Sequence, residues 1–279
     1  MQTVRACSNP TSERGCMSWF GRWRRTRILE KHAISPDAFR DAVERLPILH
    51  GLTADEEIRL HEAASLFIHD KTFSAAGGAD VDDETQHRIA LQACLLTLNL
   101  SEDSYRGWNE IILYPDEFLR NREEMDDVGV VHHSRDILAG ESWHGGPLVL
   151  SLADVAASGQ GEGVNVVLHE FAHKLDMLNG DANGFPPLHR GMDAKAWARD
   201  FSTAYADLCR RVDSGEDTPI DPYATADPAE FFAVLSEVFF EAPDLLHAEY
   251  PAIYAQMRQF YRQDPQARLH ALLQGENHE

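Results

Sequence analysis

An apolar stretch that carries two histidines and a glutamate constrains the fold of this chain more than any other feature. It runs from Val164 to Leu178, and within it His169, Glu170 and His173 form the pattern HExxH. The apolar neighbours predict a largely buried helix, which can hold a rigid site. On a helix, residues four positions apart project from one face. Both imidazoles can therefore bind one Zn²⁺, with Glu170 placed to take a proton from water.

A catalytic zinc site needs a third protein ligand, and spacing alone leaves several candidates open. Glu230 and Glu237 lie seven residues apart on a helix predicted to begin after Asp227, so they share a face. Glu230 also has a structural alternative, because a glutamate three residues after an N-cap aspartate is typical of a capping box. Weaker candidates are three histidines in predicted loops or strands: His132, His133 and His189.

Charge and composition exclude some classes of function. The chain has 279 residues and a net charge of −21, which argues against direct nucleic-acid binding. Residues 1–31 carry a charge of +5 and are expected to be a flexible basic segment. No apolar run is long enough for a membrane span, and no apolar core of a secretory signal follows the arginines. The isolated cysteines suit a reducing compartment, so a cytoplasmic location is expected.

Helical periodicity dominates the rest of the chain, with a β-rich middle. The strand-like runs are Glu110–Tyr114, Gly129–His132 and Pro147–Ser151. Helices are predicted near 35–46, 53–69, 84–99, 163–178, 193–213, 228–240, 251–262 and 265–274. This pattern predicts an α+β fold, mostly helical, with a small mixed β-sheet next to the HExxH helix, as in zincins. A helical N-terminal subdomain over 32–100 and a catalytic region over 101–279 are expected.

The segment HEFAHKLDMLNGDANG, together with a later tyrosine and Glu-Phe-Phe, resembles the Mlc titration factor A family of zinc peptidases. It resembles the catalytic domain of anthrax lethal factor more distantly. The likeness extends from about Trp19 to Pro251. It implies that His169, His173 and Glu230 bind one Zn²⁺, which favours Glu230 over the alternative glutamate.

The same resemblance implies the remaining roles. Glu170 would be the general base, and the hydroxyl of Tyr223 would assist at the active site by donating a hydrogen bond to the oxyanion. It implies aminopeptidase-like hydrolysis of short peptides or a protein substrate, with a role in sugar phosphotransferase expression. The alternative is a non-catalytic regulatory protein that binds and titrates the glucose repressor Mlc.

Three further features of the sequence are candidates for parts of the site. Asp176 either orients a ligand imidazole or is an ordinary polar residue at the end of the helix. The strand that ends at Ser151 is a candidate for pairing with an extended peptide. Trp143 and His144 are candidates for lining the cleft in which such a peptide would bind.

Overall fold

A computed structural model describes residues 19–78, 80–101, 103–115 and 146–276 of the chain. The described part is mostly helical with one small sheet, so the predicted α+β class is confirmed. None of its helices is both long and apolar enough to cross a membrane.

The α-helices of the described residues are α1 (Trp19–His32), α2 (Pro36–Glu44), α3 (Ala54–Asp70), α4 (Asp83–Thr97), α5 (Leu152–Ala157), α6 (Val166–Asp176), α7 (Ala194–Asp213), α8 (Pro228–Glu241), α9 (Pro243–Glu249), α10 (Pro251–Tyr261) and α11 (Pro265–Glu276). Short 3₁₀ turns lie at Pro47–Leu49, Met177–Asn179 and Pro222–Thr225. Thr53 and Glu56 form a capping box at the start of α3, close to the predicted helix start at residue 53.

Three strands form the sheet in the order β1 (Thr72–Ala75), β2 (Glu110–Tyr114) and β3 (Leu148–Ser151). Both strand pairs are parallel, so the described sheet is not mixed as the sequence suggested. Parallel strands need a long crossover, and α4 supplies the one between β1 and β2. The predicted strand at Gly129–His132 lies outside the described residues.

Part of the basic N-terminal segment forms a helix rather than a flexible tail. In α1, Arg24 lies 2.7 Å from Asp70 and Arg25 lies 2.6 Å from Glu62, both on α3. Ion pairs as exposed as these contribute only about 0–1 kcal/mol each, so the burial of Ile28 also helps to hold the helix. Residues 1–18 lie outside the described part of the chain.

The helices α6 and α8 pack against each other at the centre of the molecule. Every residue of α8 from Ala229 to Glu241 is buried, which is unusual for a helix that contains three glutamates. Buried carboxylates need partners, and the partners of these three lie on or near α6. The buried core extends from Ile34 to Tyr261. The division of the chain near residue 100 stays a prediction.

Candidate metal centre

Local capping interactions place the two helices that carry the site. The side chain of Asn165 accepts a hydrogen bond from the backbone N–H of Leu168 at 2.9 Å, which begins α6. Asp227 caps α8 by accepting from the N–H groups of Ala229 and Glu230 at 2.7 and 3.0 Å. Because Asp227 caps α8 with its own side chain, the Glu230 carboxylate is free to extend toward α6.

Three side chains converge between α6 and α8. The Nε2 atoms of His169 and His173 lie 3.2 Å apart. The Glu230 carboxylate lies 2.9 Å from His169 Nε2 and 3.5 Å from His173 Nε2. The three donor atoms all lie within 4.8 Å of one another. No second group of three metal-ligating side chains converges in this way within the part of the chain that the structure describes.

One buried carboxylate oxygen of the site lacks an aligned hydrogen-bond donor, which favours the binding of a cation. One oxygen of Glu230, Oε2, is buried and has no aligned hydrogen-bond donor, although His169 Nε2 lies 2.9 Å away. Leaving such an acceptor unsatisfied costs about 1–3 kcal/mol, and more for a charged group. Two imidazoles and one carboxylate are also the ligand set of many catalytic zinc sites, which keep one position open. The residues present therefore fit a divalent metal of the zinc type.

The electrostatics of the site show strong coupling between the candidate ligands. Burial by itself would lower the pKa of His169, but the adjacent carboxylates of Glu230 and Glu237 outweigh burial and raise the pKa to about 10. Burial would raise the pKa of Glu230, yet interactions with His169 and His173 hold that pKa well below its usual range. Without a metal, a proton on His169 balances the charge that a cation would otherwise balance.

Glu237 binds the opposite nitrogen of the His169 ring. Its Oε1 lies 2.7 Å from Nδ1, and its Oε2 accepts a hydrogen bond from the backbone of Asn165. A carboxylate can only accept, so Nδ1 carries a hydrogen, and Nε2, on the side of Glu230, is the nitrogen that would bind a metal once its own proton is lost. Glu237 therefore lies outside the group of converging donors and orients His169. From the sequence, Glu237 is only an alternative third ligand, because its spacing from Glu230 does not indicate that it orients His169.

The other histidine candidates do not join the group. The Nε2–H of His189 donates to the carbonyl oxygen of Phe260 at 2.7 Å, and the ring stacks on the ring of that residue. His132 and His133, like Trp143 and His144, lie outside the described residues.

Glu170 and Tyr223 flank the converging donors. Glu170 is half-buried on α6, one residue after His169 and one turn before the buried Lys174. Tyr223 lies in a 3₁₀ turn held by Asp221, which accepts from the Tyr223 backbone at 2.9 Å. The rings of Tyr223 and His169 lie 6.1 Å apart. The chain thus brings a potential base and a potential hydroxyl donor to the same centre.

Asp176 acts on the backbone rather than on a ligand imidazole. One of its oxygens accepts from the N–H groups of Asn183 and Gly184 at 2.7 and 2.6 Å, and no hydrogen bond joins it to His173. Gly184 has φ +76°, and a Cβ there would lie 2.4 Å from the carbonyl oxygen of Pro228. Asp176 therefore holds a turn that packs against the first residue of α8, the helix that carries Glu230.

Comparison with known proteins gives consistent matches over most of the chain. The sequence profile of the family described as glucose-regulated metallo-peptidase M90 matches residues 20–262. Mlc titration factor A of Salmonella arizonae is 40% identical over 252 residues, which cover 88% of this chain and 98% of that protein. Mlc titration factor A of Salmonella gallinarum is 43% identical over 229 residues, covering 80% and 85% of the two chains.

Proposed function

The chain belongs to the glucose-regulated metallo-peptidase family M90, and from this premise we propose that it is a cytoplasmic zinc peptidase with aminopeptidase-like activity on short peptides. Membership of a metallopeptidase family implies a metal ion. The observation that carries the proposal is the convergence of His169, His173 and Glu230, with one glutamate oxygen buried and unsatisfied.

His169, His173 and Glu230 would hold the zinc ion, which when bound supplies Lewis-acid polarisation of the scissile carbonyl and lowers the pKa of water. Glu170 takes the proton of the attacking water and delivers it to the leaving amine. Tyr223 donates a hydrogen bond to the negative charge that develops on the carbonyl oxygen.

An extended substrate is proposed to bind along β3. In the described part of the chain, β3 pairs with β2 on one side only. The Lys174 ammonium donates to the carbonyl oxygen of Gly146 at 3.1 Å, two residues before β3 begins. This contact ties the strand to α6 and so to the site. Main-chain hydrogen bonds along a strand edge would bind peptides with little regard to sequence.

The test compares wild-type protein with Glu170→Gln, each loaded with zinc and analysed for metal content. We expect the variant to keep about one zinc per chain and to lose about 10²–10⁴-fold in kcat on a short peptide, as removal of a general base does. Glu30→Gln, on the distant helix α1, is the matched control and should keep full activity. Equal activity of Glu170→Gln and wild type would reject the proposed mechanism, and zinc-loaded wild type that cleaves no peptide would reject the proposed function.

The name of the curated relatives supports a second candidate, a regulatory protein that binds the repressor Mlc. On this hypothesis binding is the main task and hydrolysis is secondary or absent. Glu170→Gln separates the two, because it removes the base and leaves the surface nearly unchanged. A variant that still binds Mlc and still raises sugar phosphotransferase expression would favour the regulatory function. Loss of the regulatory effect with binding retained would favour catalysis.

A further inference from the structure

A cleft of about 280 Å³ opens directly beside His169 and Tyr223. It lies between the start of α6, the middle of α8 and the loop that precedes Tyr223. Its walls include aliphatic side chains from four separate segments of the chain: Val164, Val166, Pro219, Val234, Val238 and Leu245. Pockets for drug-sized ligands span about 300–1,000 Å³, so this cleft suits a single amino-acid side chain better than a longer segment.

The aliphatic surface of the cleft is partly exposed. Val166, Val234 and Val238 form a floor that is nearly inaccessible to solvent, whereas Val164 at the lip is 64% exposed. Large exposed aliphatic residues are few in the described part of the chain, and this one lies next to the metal centre. An apolar side chain placed here would gain by leaving water.

The carboxylates of the cleft are not balanced by any lysine or arginine side chain among the described residues that line it. The exposed carboxylates Glu162 and Asp221 lie at its rim, and no lysine or arginine is found among the described residues that line it. Glu237 also lines it but is already bound to His169 and Asn165. A carboxylate that entered the cleft would meet like charges at the rim and no lysine or arginine among the described lining residues, which is unfavourable.

A buried carboxylate keeps the lip of the cleft in place. Glu241 accepts hydrogen bonds from the backbone N–H groups of Gly159 and Gly161, in the loop that leads to Val164. Gly159 has φ +88°, and a Cβ there would lie 2.5 Å from a methyl group of Leu46. The loop therefore has little freedom to change conformation, and the cleft is a preformed feature of the fold.

We propose that this cleft binds an aliphatic side chain of the substrate residue next to the scissile bond and rejects aspartate and glutamate there. The inference rests on the proposed peptidase function and adds the substrate class. A missing methylene in an apolar pocket changes kcat/KM by about 10–200-fold, so leucine should exceed alanine by at least about tenfold. Asparagine should exceed aspartate, because the two differ chiefly in charge.

The test uses zinc-loaded full-length protein and a set of short peptides that differ only next to the scissile bond. Each residue that flanks the scissile bond, located by mass spectrometry of the products, is varied among Leu, Ala, Asn and Asp. The preference for Leu is expected at one of the two positions. Binding of the same peptides to zinc-loaded Glu170→Gln, measured by calorimetry, should show the same order without turnover.

Two variants at the lip test the assignment without disturbing the floor. Val164→Asp should reduce the Leu/Ala ratio by about tenfold, whereas Ile58→Asp, a matched change at a residue 60% exposed on α3, should not. Glu162→Lys should reduce the Asn/Asp ratio by about three- to tenfold at low salt and less at high salt, because exposed charges are screened. Glu30→Lys makes the same charge change on α1 and should leave the ratio unaltered.

The possible results separate this inference from the proposed function. Cleavage with a Leu/Ala ratio near one, unchanged by Val164→Asp, would overturn the cleft assignment and leave the peptidase standing. Cleavage that favours acidic residues would overturn it as well. Failure of the zinc-loaded wild type to cleave or bind any peptide of the set would remove both.

Discussion

At one end of the interface between α6 and α8, every oxygen of Glu237 and Glu241 accepts a hydrogen bond. At the other end, one oxygen of Glu230 has no aligned donor. We call the first the capping end, formed by Asn165, Glu237 and Glu241. The second is the ligand end, formed by His169, His173 and Glu230. Both ends bury acids of the same helix, so burial and sequence type do not distinguish them. The two ends differ in the number of aligned donors. The carboxylates at the capping end stabilise the fold, whereas the Glu230 carboxylate at the ligand end is able to bind a cation.

The largest effect is expected from Glu230→Ala at the ligand end. Structural zinc binding of about 10–16 kcal/mol, shared among four ligands, amounts to about 2.5–4 kcal/mol a ligand, or roughly a 60- to 900-fold loss of affinity. Competition with a chromophoric chelator measures it. The thermal stability of the chelator-treated protein should also fall, because Glu230→Ala removes the buried carboxylate that pairs with His169 and His173 in the absence of metal. Unchanged zinc affinity would mean that the three converging side chains do not bind the metal together.

A substitution at the capping end should lower the stability of the protein and leave the effect of zinc unchanged. Glu241→Gln places an amide group against the N–H donors of Gly159 and Gly161 and against the amide of Asn165. We expect a loss of about 2–3 kcal/mol in the free energy of unfolding, as for hydrogen bonds to a charged group. Urea denaturation of the metal-free protein checks this. The gain in stability on adding zinc should equal that of wild type, and a reduced gain would show that the two ends are not separable.

A rise in pH should strengthen zinc binding at His169 and reduce the contribution of His169 to the stability of the metal-free protein. In the metal-free protein the pKa of His169 is about 10 rather than 6.5, so metal binding must displace a proton at neutral pH. Zinc affinity should therefore rise about tenfold per pH unit between about pH 6 and 8. Because the raised pKa favours the folded state, its contribution to stability is full below about pH 6.5 and is lost as the pH rises through about 10.

Zinc titrations and urea denaturation of the metal-free protein at matched pH values measure these two trends. A zinc affinity independent of pH over this range would show that no proton leaves His169 when the metal binds.

Sequence alone was most informative where chemistry and spacing coincide. The HExxH pattern places both histidines on α6, and the N-cap at Asp227 lies where the sequence predicts it. The helices α2 and α3 begin close to the predicted positions 35 and 53, and the family resemblance is confirmed. β2 was predicted with its observed bounds. These elements are specified by local signals, which is why they could be read without tertiary information.

The features that were missed depend on tertiary contacts. β1 has four residues and becomes a strand only because Thr72 to Ala75 pair with β2. The predicted helix at 163–178 begins at Val166, since Gly163 has φ +89° and Asn165 is the N-cap. α9, between α8 and α10, was not predicted, although the predicted end of the preceding helix at residue 240 lies next to the observed break at Ala242. The orienting role of Glu237 likewise appears only when α8 packs on α6.

The smallest of these effects, and the most discriminating, is expected from Glu237→Gln. The glutamine carbonyl can still accept from His169 Nδ1, but its amide would then face the backbone N–H of Asn165, which needs an acceptor. Loss of such an orienting partner usually lowers metal affinity by about 10–100-fold. The chelator competition used for Glu230→Ala gives the ratio of the two effects. If Glu237 were itself the third ligand, Glu237→Gln would weaken zinc binding more than Glu230→Ala does. The observed contact with Nδ1 requires the reverse order, because a partner on that nitrogen acts on the metal only through the orientation and basicity of the ring.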